Sequence, residues 1–130
     1  MFPSHSLMNI LIIDDSKAMR TFLDYLVRDL GFGTVHAADG CDALEVLARS
    51  PSDIDLALVD WDMPRMNGLD FVQAVRADPS YRGLKLMMVT TANSMERVAT
   101  ALAAGADDFL MKPVTKDNLA DKLRVLGVVA

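Results

Sequence analysis

The chain has one cysteine, one tryptophan and two histidines among its 130 residues. With no second thiol, Cys41 cannot close an internal disulfide. No apolar run approaches the roughly 20 residues that a membrane helix needs. The opening "MFPSHSL" has no basic residue and no long apolar stretch, so it does not read as a secretory signal. Basic side chains are outnumbered 13 to 18, the net charge is -5, and no basic cluster occurs, so direct nucleic-acid binding is not expected. Repeats, Pro/Gly-rich linkers and low-complexity segments are also missing. The lone cysteine fits a reducing cytoplasm, a monomer without membrane insertion is expected, and the chain divides into a short tail over 1–7 and one domain over 8–130.

What is present is globular. Hydrophobic residues make up 52% of the chain, and a chain of this length buries roughly two thirds of its unfolded surface. "MNILIIDD" reads as a strand ending in Asp14 and Asp15. Met19, Phe22, Leu23, Leu26, Val27 and Leu30 then fall at helical spacing, and Gly31 stops that helix. "TVHAA" is a short strand. Asp39 can cap a helix carrying Ala43, Leu44, Val46 and Leu47, which Pro51 and its turn end. "LALVD" is the third strand. Residues 68–77 are helical, "DPSYRG" is a loop, and "LKLMMVTT" is the fourth strand. Asn93 with Glu96 forms a capping box for a fourth helix. "DFLM" is the last strand, cut off by Pro113, and Thr115 caps a final helix with Leu119, Leu123 and Leu126 on one face. The strands are apolar on both faces, so the alternation predicts an α/β fold with a parallel sheet covered on both sides. The fourth helix is Ala-rich and should pack lightly.

Four strands end in residues with chemical potential: Asp14 and Asp15, Asp60, Thr90 and Thr91, and Lys112. In open α/β sheets, ligands bind at the carboxyl ends of the strands, so these residues should meet in one crevice. Crowded carboxylates raise one another's pKa, and a divalent cation relieves the conflict. Oxygen-only ligands favour a hard ion, and so few carboxylates suit Mg²⁺, with water and a phosphate oxygen completing its shell. Lys112 and the Thr90 hydroxyl suit a phosphoryl group. By contrast, Asp107 and Asp108 precede a strand and read as solvated loop carboxylates. His5 and His36 read as surface or packing residues, and the nine methionines as core filling.

Taken together, "IIDDS" at 12–16, "LVDWDMPRMNGLDF" at 58–71, "MMVTT" at 87–91 and "FLMKPV" at 109–114 resemble the receiver domain of bacterial two-component response regulators, nearest the stand-alone chemotaxis type. The resemblance covers roughly residues 8 to 127. It implies a flavodoxin-like doubly wound (βα)5 fold with strand order 2-1-3-4-5; the chemotaxis regulator is itself the standard example of that order. It makes Asp60 the phosphoacceptor, with Lys112 and Thr90 assisting. Asp15 would bind Mg²⁺ directly, Asp14 mainly through water, and Asp62 through its backbone carbonyl, with the Asp62 side chain facing the phosphoryl group. Trp61 would lie beside the site, partly exposed. Thr90 and Phe109 would form the switch, altering the face made by the fourth helix, fifth strand and fifth helix.

Thr91 and Asp62 depart from the usual family pattern and should tune the lifetime of the phosphorylated state. The implied phosphodonor is a sensor histidine kinase. The downstream partner would be a motor protein, a kinase or a histidine phosphotransfer protein. On this reading the chain is a complete single-domain regulator that catalyses only its own phosphorylation and dephosphorylation. Two other readings use the same residues. "LVDWDMP" fits the D-x-D motif of haloacid-dehalogenase-type phosphatases, but Asp14 and Asp15 then have no role. A receiver-like binding module that never takes phosphate is the other.

Overall fold

The computed structural model describes residues 8–49, 53–91 and 95–128. The tail over 1–7, the Pro51 turn and the Asn93 cap lie outside the described residues. Five strands and five helices alternate: β1 Asn9–Ile13, α1 Lys17–Asp29, β2 Gly33–Ala37, α2 Gly40–Arg49, β3 Ile54–Asp60, α3 Gly68–Ala77, β4 Lys85–Thr90, α4 Met95–Ala104, β5 Asp108–Met111 and α5 Lys116–Val125. All pairings are parallel, in the order β2-β1-β3-β4-β5, as expected for a doubly wound sheet. Within the stretch read as a loop, Pro79–Tyr81 forms a single 3-10 turn, capped by the Asp78 carboxylate on the Ser80 N–H at 2.9 Å.

The period of two along each strand separates two cores. Leu11, Ile13, Ala57, Val59, Leu86 and Met88 face one side, against Val46 and Leu47 of α2, Phe71, Val72 and Val75 of α3, and Ala101 of α4. Ile10, Ile12, Leu56, Leu58, Met87 and Val89 face the other, against Leu23, Leu26 and Val27 of α1 and Leu119 and Leu123 of α5. Each fully buried side chain of this size contributes roughly 1.5–3 kcal/mol by leaving water. Two apolar faces explain why the strands read as continuous runs. α4 buries only Val98 and Ala101 and exposes Met95 and Leu102, so it is lightly anchored as its composition predicts.

The helix boundaries follow local chemistry. Ser16 accepts the Met19 N–H at 3.1 Å and starts α1. Gly31, at φ 98°, takes the left-handed turn that ends it. Thr115 caps α5 through the Asn118 N–H at 3.1 Å.

Asp107 and Asp108 are not merely solvated. The Asp107 carboxylate accepts from the Leu86 N–H at 2.8 Å and from Arg76 at 2.9 Å. Arg76 also donates to the carbonyls of Gly105 and Leu84, each at 2.8 Å, so it ties α3 to the start of β4 and the turn before β5. Asp108 opens β5 and pairs with Lys122 of α5 at 2.7 Å. His36 is likewise tied down, with Nε2 2.9 Å from Asp24.

Candidate functional site

Parallel strands that share one direction bring their last residues to one edge. Asp14 and Asp15 follow β1, Asp60 ends β3, Thr90 ends β4, and Lys112 follows β5. The structure gathers these residues. One carboxylate oxygen from each of Asp14, Asp15 and Asp60 lies within 4.8 Å of the others. Lys112 Nζ stands 3.6 Å from Asp60 Oδ1, and the Lys112 N–H donates to the Thr90 carbonyl at 2.7 Å, locking β5 to β4 at the site. A small cleft is lined by Asp60, Trp61, Asp62, Val89, Thr90, Thr91, Arg97 and Lys112.

Burial and like charge set the electrostatics. Asp14 is 3% exposed; burial pushes its carboxyl up, and the Ser16 N–H, 2.9 Å from Oδ1, opposes this. Its carbonyl takes Arg20 at 2.6 Å, which fixes the backbone at this strand end. The Asp60 carboxyl is pushed up to about 6, first by burial and then by the Asp14 charge, with Lys112 pulling the other way and Asp15 and Asp62 adding to the rise. A cluster that resists full ionisation is suited to a cation. Three carboxylates without nitrogen or sulfur ligands fit a hard divalent ion such as Mg²⁺.

The segment after Asp60 is held as a rigid turn. The Gly68 N–H donates to the Trp61 carbonyl at 2.8 Å. A Cβ on Gly68 would collide with the Asp60 carbonyl and stand 2.9 Å from Trp61 Cα, so only glycine lets α3 begin this close to β3. Asn67 caps α3 through the Asp70 N–H at 2.9 Å. Arg65 adopts φ 63° and reaches across to Asp39 with two bonds, 2.8 and 3.1 Å. Asp39 in turn accepts the Asp42 N–H at 2.8 Å at the start of α2, as its capping position predicts. Arg65 and that N–H hold its carboxyl below the usual carboxylate range.

Arg97, on the first turn of α4, is a cleft residue that sequence reasoning missed. It donates to both carboxylate oxygens of Asp62, at 3.0 and 2.9 Å, and its guanidinium lies 5.2 Å from the centroid of the Trp61 ring. The Asp62 side chain is therefore engaged by α4. Asp62 and Arg97 are 35 positions apart, and no local spacing connects them. Trp61 is half-buried and packs on the core shared with α2 and α3. Phe109 is also half-buried, with Lys122 Nζ 4.6 Å from its ring centroid.

Comparison with known proteins supplies an independent line. Residues 10–124 match the family model of the response regulator receiver domain. The chain is 39% identical over 117 residues to chemotaxis protein CheY-3 of Vibrio cholerae, covering 89% of this chain and 88% of that protein. It is 38% identical over 122 residues to a CheY homologue of Campylobacter jejuni, covering 92% and 93%. Among solved structures, Vibrio cholerae CheY4 superposes with a TM-score of 0.83 at 32% identity, over 92% of this chain and 98% of that one. The Borrelia burgdorferi CheX–CheY–BeF3–Mg²⁺ complex gives 0.84 at 25% identity, over 93% and 90%.

Proposed function

The chain belongs to the response regulator receiver domain family, and on that premise we propose that it accepts a phosphoryl group on Asp60 and changes its binding surface in response. One observation carries this reading. The most perturbed carboxyl of the cluster, Asp60, faces Lys112 at 3.6 Å while sharing an ion-sized space with Asp14 and Asp15.

The donor is a phosphohistidine on a sensor histidine kinase. An Asp60 carboxylate oxygen attacks phosphorus; the O–P bond forms as the N–P bond breaks, and the electron pair leaves on the imidazole nitrogen, which takes a proton. Such a transfer asks for positioning and charge neutralisation. Lys112 supplies charge beside the incoming oxygens, and the Thr90 hydroxyl supplies a donor. Asp15 and Asp60 would hold Mg²⁺ directly, Asp14 mainly through water, and the Asp62 carbonyl would complete the protein ligands. When bound, the ion neutralises the phosphoryl oxygens against the carboxylates. Water attack on phosphorus later releases phosphate and restores Asp60, so the domain acts catalytically only on itself.

The new charge, roughly -1.5 to -2, biases Thr90 and Phe109 toward a second arrangement. The surface it alters is that of α4, β5 and α5, where Met95, Leu102 and Val125 are exposed. The Borrelia relative forms a complex with CheX; the partner here is likewise a protein, of the motor, kinase or phosphotransfer class.

Trp61 fluorescence tests the reading. In the native protein Mg²⁺ is expected to change the signal, and acetyl phosphate then to give a saturable second change. Intact mass should show one added phosphoryl group, and Asp60→Asn should abolish both the second change and the mass gain. A flat response to both additions favours a phosphate-independent binding module. Steady turnover of p-nitrophenyl phosphate favours a phosphatase.

A further inference from the structure

Two cations line the cleft among the described residues, and only Lys112 has a part in the reading above. The other, Arg97, is held by a carboxylate two residues beyond Asp60 and by the ring between them. Both members of that ion pair are open to water, Arg97 at 45% and Asp62 at 76% side-chain exposure. A pair so exposed is weakly bound, and a stronger anion can displace it. An acyl phosphate at Asp60 is that anion: it carries more charge than Asp62 and presents several oxygens in the geometry a planar guanidinium prefers.

We propose that Arg97 is a second phosphoryl-binding cation, parked on Asp62 until Asp60 is phosphorylated and then transferred to the phosphoryl oxygens. The transfer rests on Asp60 being the phosphoacceptor and specifies how its charge reaches α4. Arg97 belongs to the first turn of α4, the helix that buries only Val98 and Ala101. A guanidinium drawn toward Asp60 pulls on the element least anchored to the core. Stacked beside Trp61 and bonded to the phosphoryl group, it also occupies the space through which water must approach phosphorus. Asp62 is its competitor, so removing the Asp62 charge strengthens the transfer.

The experiment follows loss of the phosphoryl group by intact mass, after the donor is removed, in native protein, Arg97→Ala, Arg97→Lys, Asp62→Asn and the Arg97→Ala/Asp62→Asn double variant. Both positions are exposed, and thermal melts confirm that each variant folds. Arg97→Ala is expected to lose the group about tenfold faster, a change of roughly 1.4 kcal/mol in barrier. Arg97→Lys should fall between, and Asp62→Asn should slow the loss. In the double variant Asp62→Asn should no longer slow it, a result that a merely structural ion pair would not give. A rate for Arg97→Ala within about twofold of native, or slowing by Asp62→Asn that persists in the Arg97→Ala background, overturns the proposal. Native protein that takes up no phosphoryl group overturns the phosphoacceptor reading itself, and the proposal with it.

Discussion

Replacing Asp60 with Asn should make the metal-free protein more stable, by a margin that opens between about pH 4 and 6 and is full at neutral pH. The folded Asp60 carboxyl titrates near 6, against 3.8 for an unperturbed aspartate. Between those values the folded state holds a proton that the unfolded chain has released, so stability falls as pH rises. The loss is complete above the folded pKa. A difference of about two units corresponds to about 3 kcal/mol. The side chain is only 12% exposed, so solvent screening removes little of this. Asn keeps the shape without the charge, and Asp14, also raised, is common to both proteins and cancels in the comparison. Urea denaturation in EDTA across the pH range should show the variant ahead by about 2–3 kcal/mol near pH 8, with the gap closing toward pH 4. In melting temperature this is roughly 6–12 °C for a domain of this size. Saturating Mg²⁺ should stabilise the native protein more than the variant, because a ligand that binds only the folded state adds its binding energy. A gap that does not change with pH, or a variant less stable than native near pH 8, would refute the claim that burial and like charge strain this site.

Three further perturbations probe the surrounding frame. Gly68→Ala forces a Cβ against the Asp60 carbonyl and Trp61 Cα, so it should destabilise by about 1–3 kcal/mol and slow phosphoryl uptake from acetyl phosphate; native uptake kinetics would show that the turn does not position Asp60. Asp39→Ala removes both the α2 cap and the anchor of Arg65, at about 1–2 kcal/mol of stability. Because the Asp39 carboxyl is held low, its contribution is present above about pH 4 and fades as pH falls; melts in which the gap widens in acid would contradict this. Thr91→Ala should change the lifetime of phosphorylated Asp60 by more than about twofold, since Thr91 lines the cleft; a smaller change removes Thr91 from the determinants of that rate.

The fold was legible because its signals are local and repeated. Apolar strands such as 10–13 and 56–59 announce burial on both faces, and Asp39 and Thr115 each cap a helix within three residues of their own position. Gathering Asp14, Asp15, Asp60 and Lys112 needed one further rule, that parallel strands end on the same side. What the sequence hid are contacts between groups far apart along the chain: Arg65 with Asp39, Arg76 with Asp107, and Arg97 with Asp62. In each an arginine reaches a carboxylate on a distant segment, and neither hydrophobic period nor cap encodes its target.

These arginines also separate the structural end of the sheet from the chemical one. Asp107, at the amino end of β5, accepts from Arg76 at 2.9 Å and from a backbone N–H at 2.8 Å, both at Oδ2, so its charge is matched by a cation and its position is fixed to the chain. At the opposite edge Asp60 has Lys112 at 3.6 Å and two more carboxylates crowded beside it. Both ends carry an acidic pair in the sequence, Asp14–Asp15 and Asp107–Asp108. The difference between them is charge balance: Arg76 and Lys122 match the second pair, while the first adds its charge to Asp60 and leaves an excess. That excess cannot be relieved by packing, only by a cation or by a proton. The edge that is least comfortable on its own is therefore the one where a cation would bring most relief, and Lys112 and Arg97 line the cleft beside it.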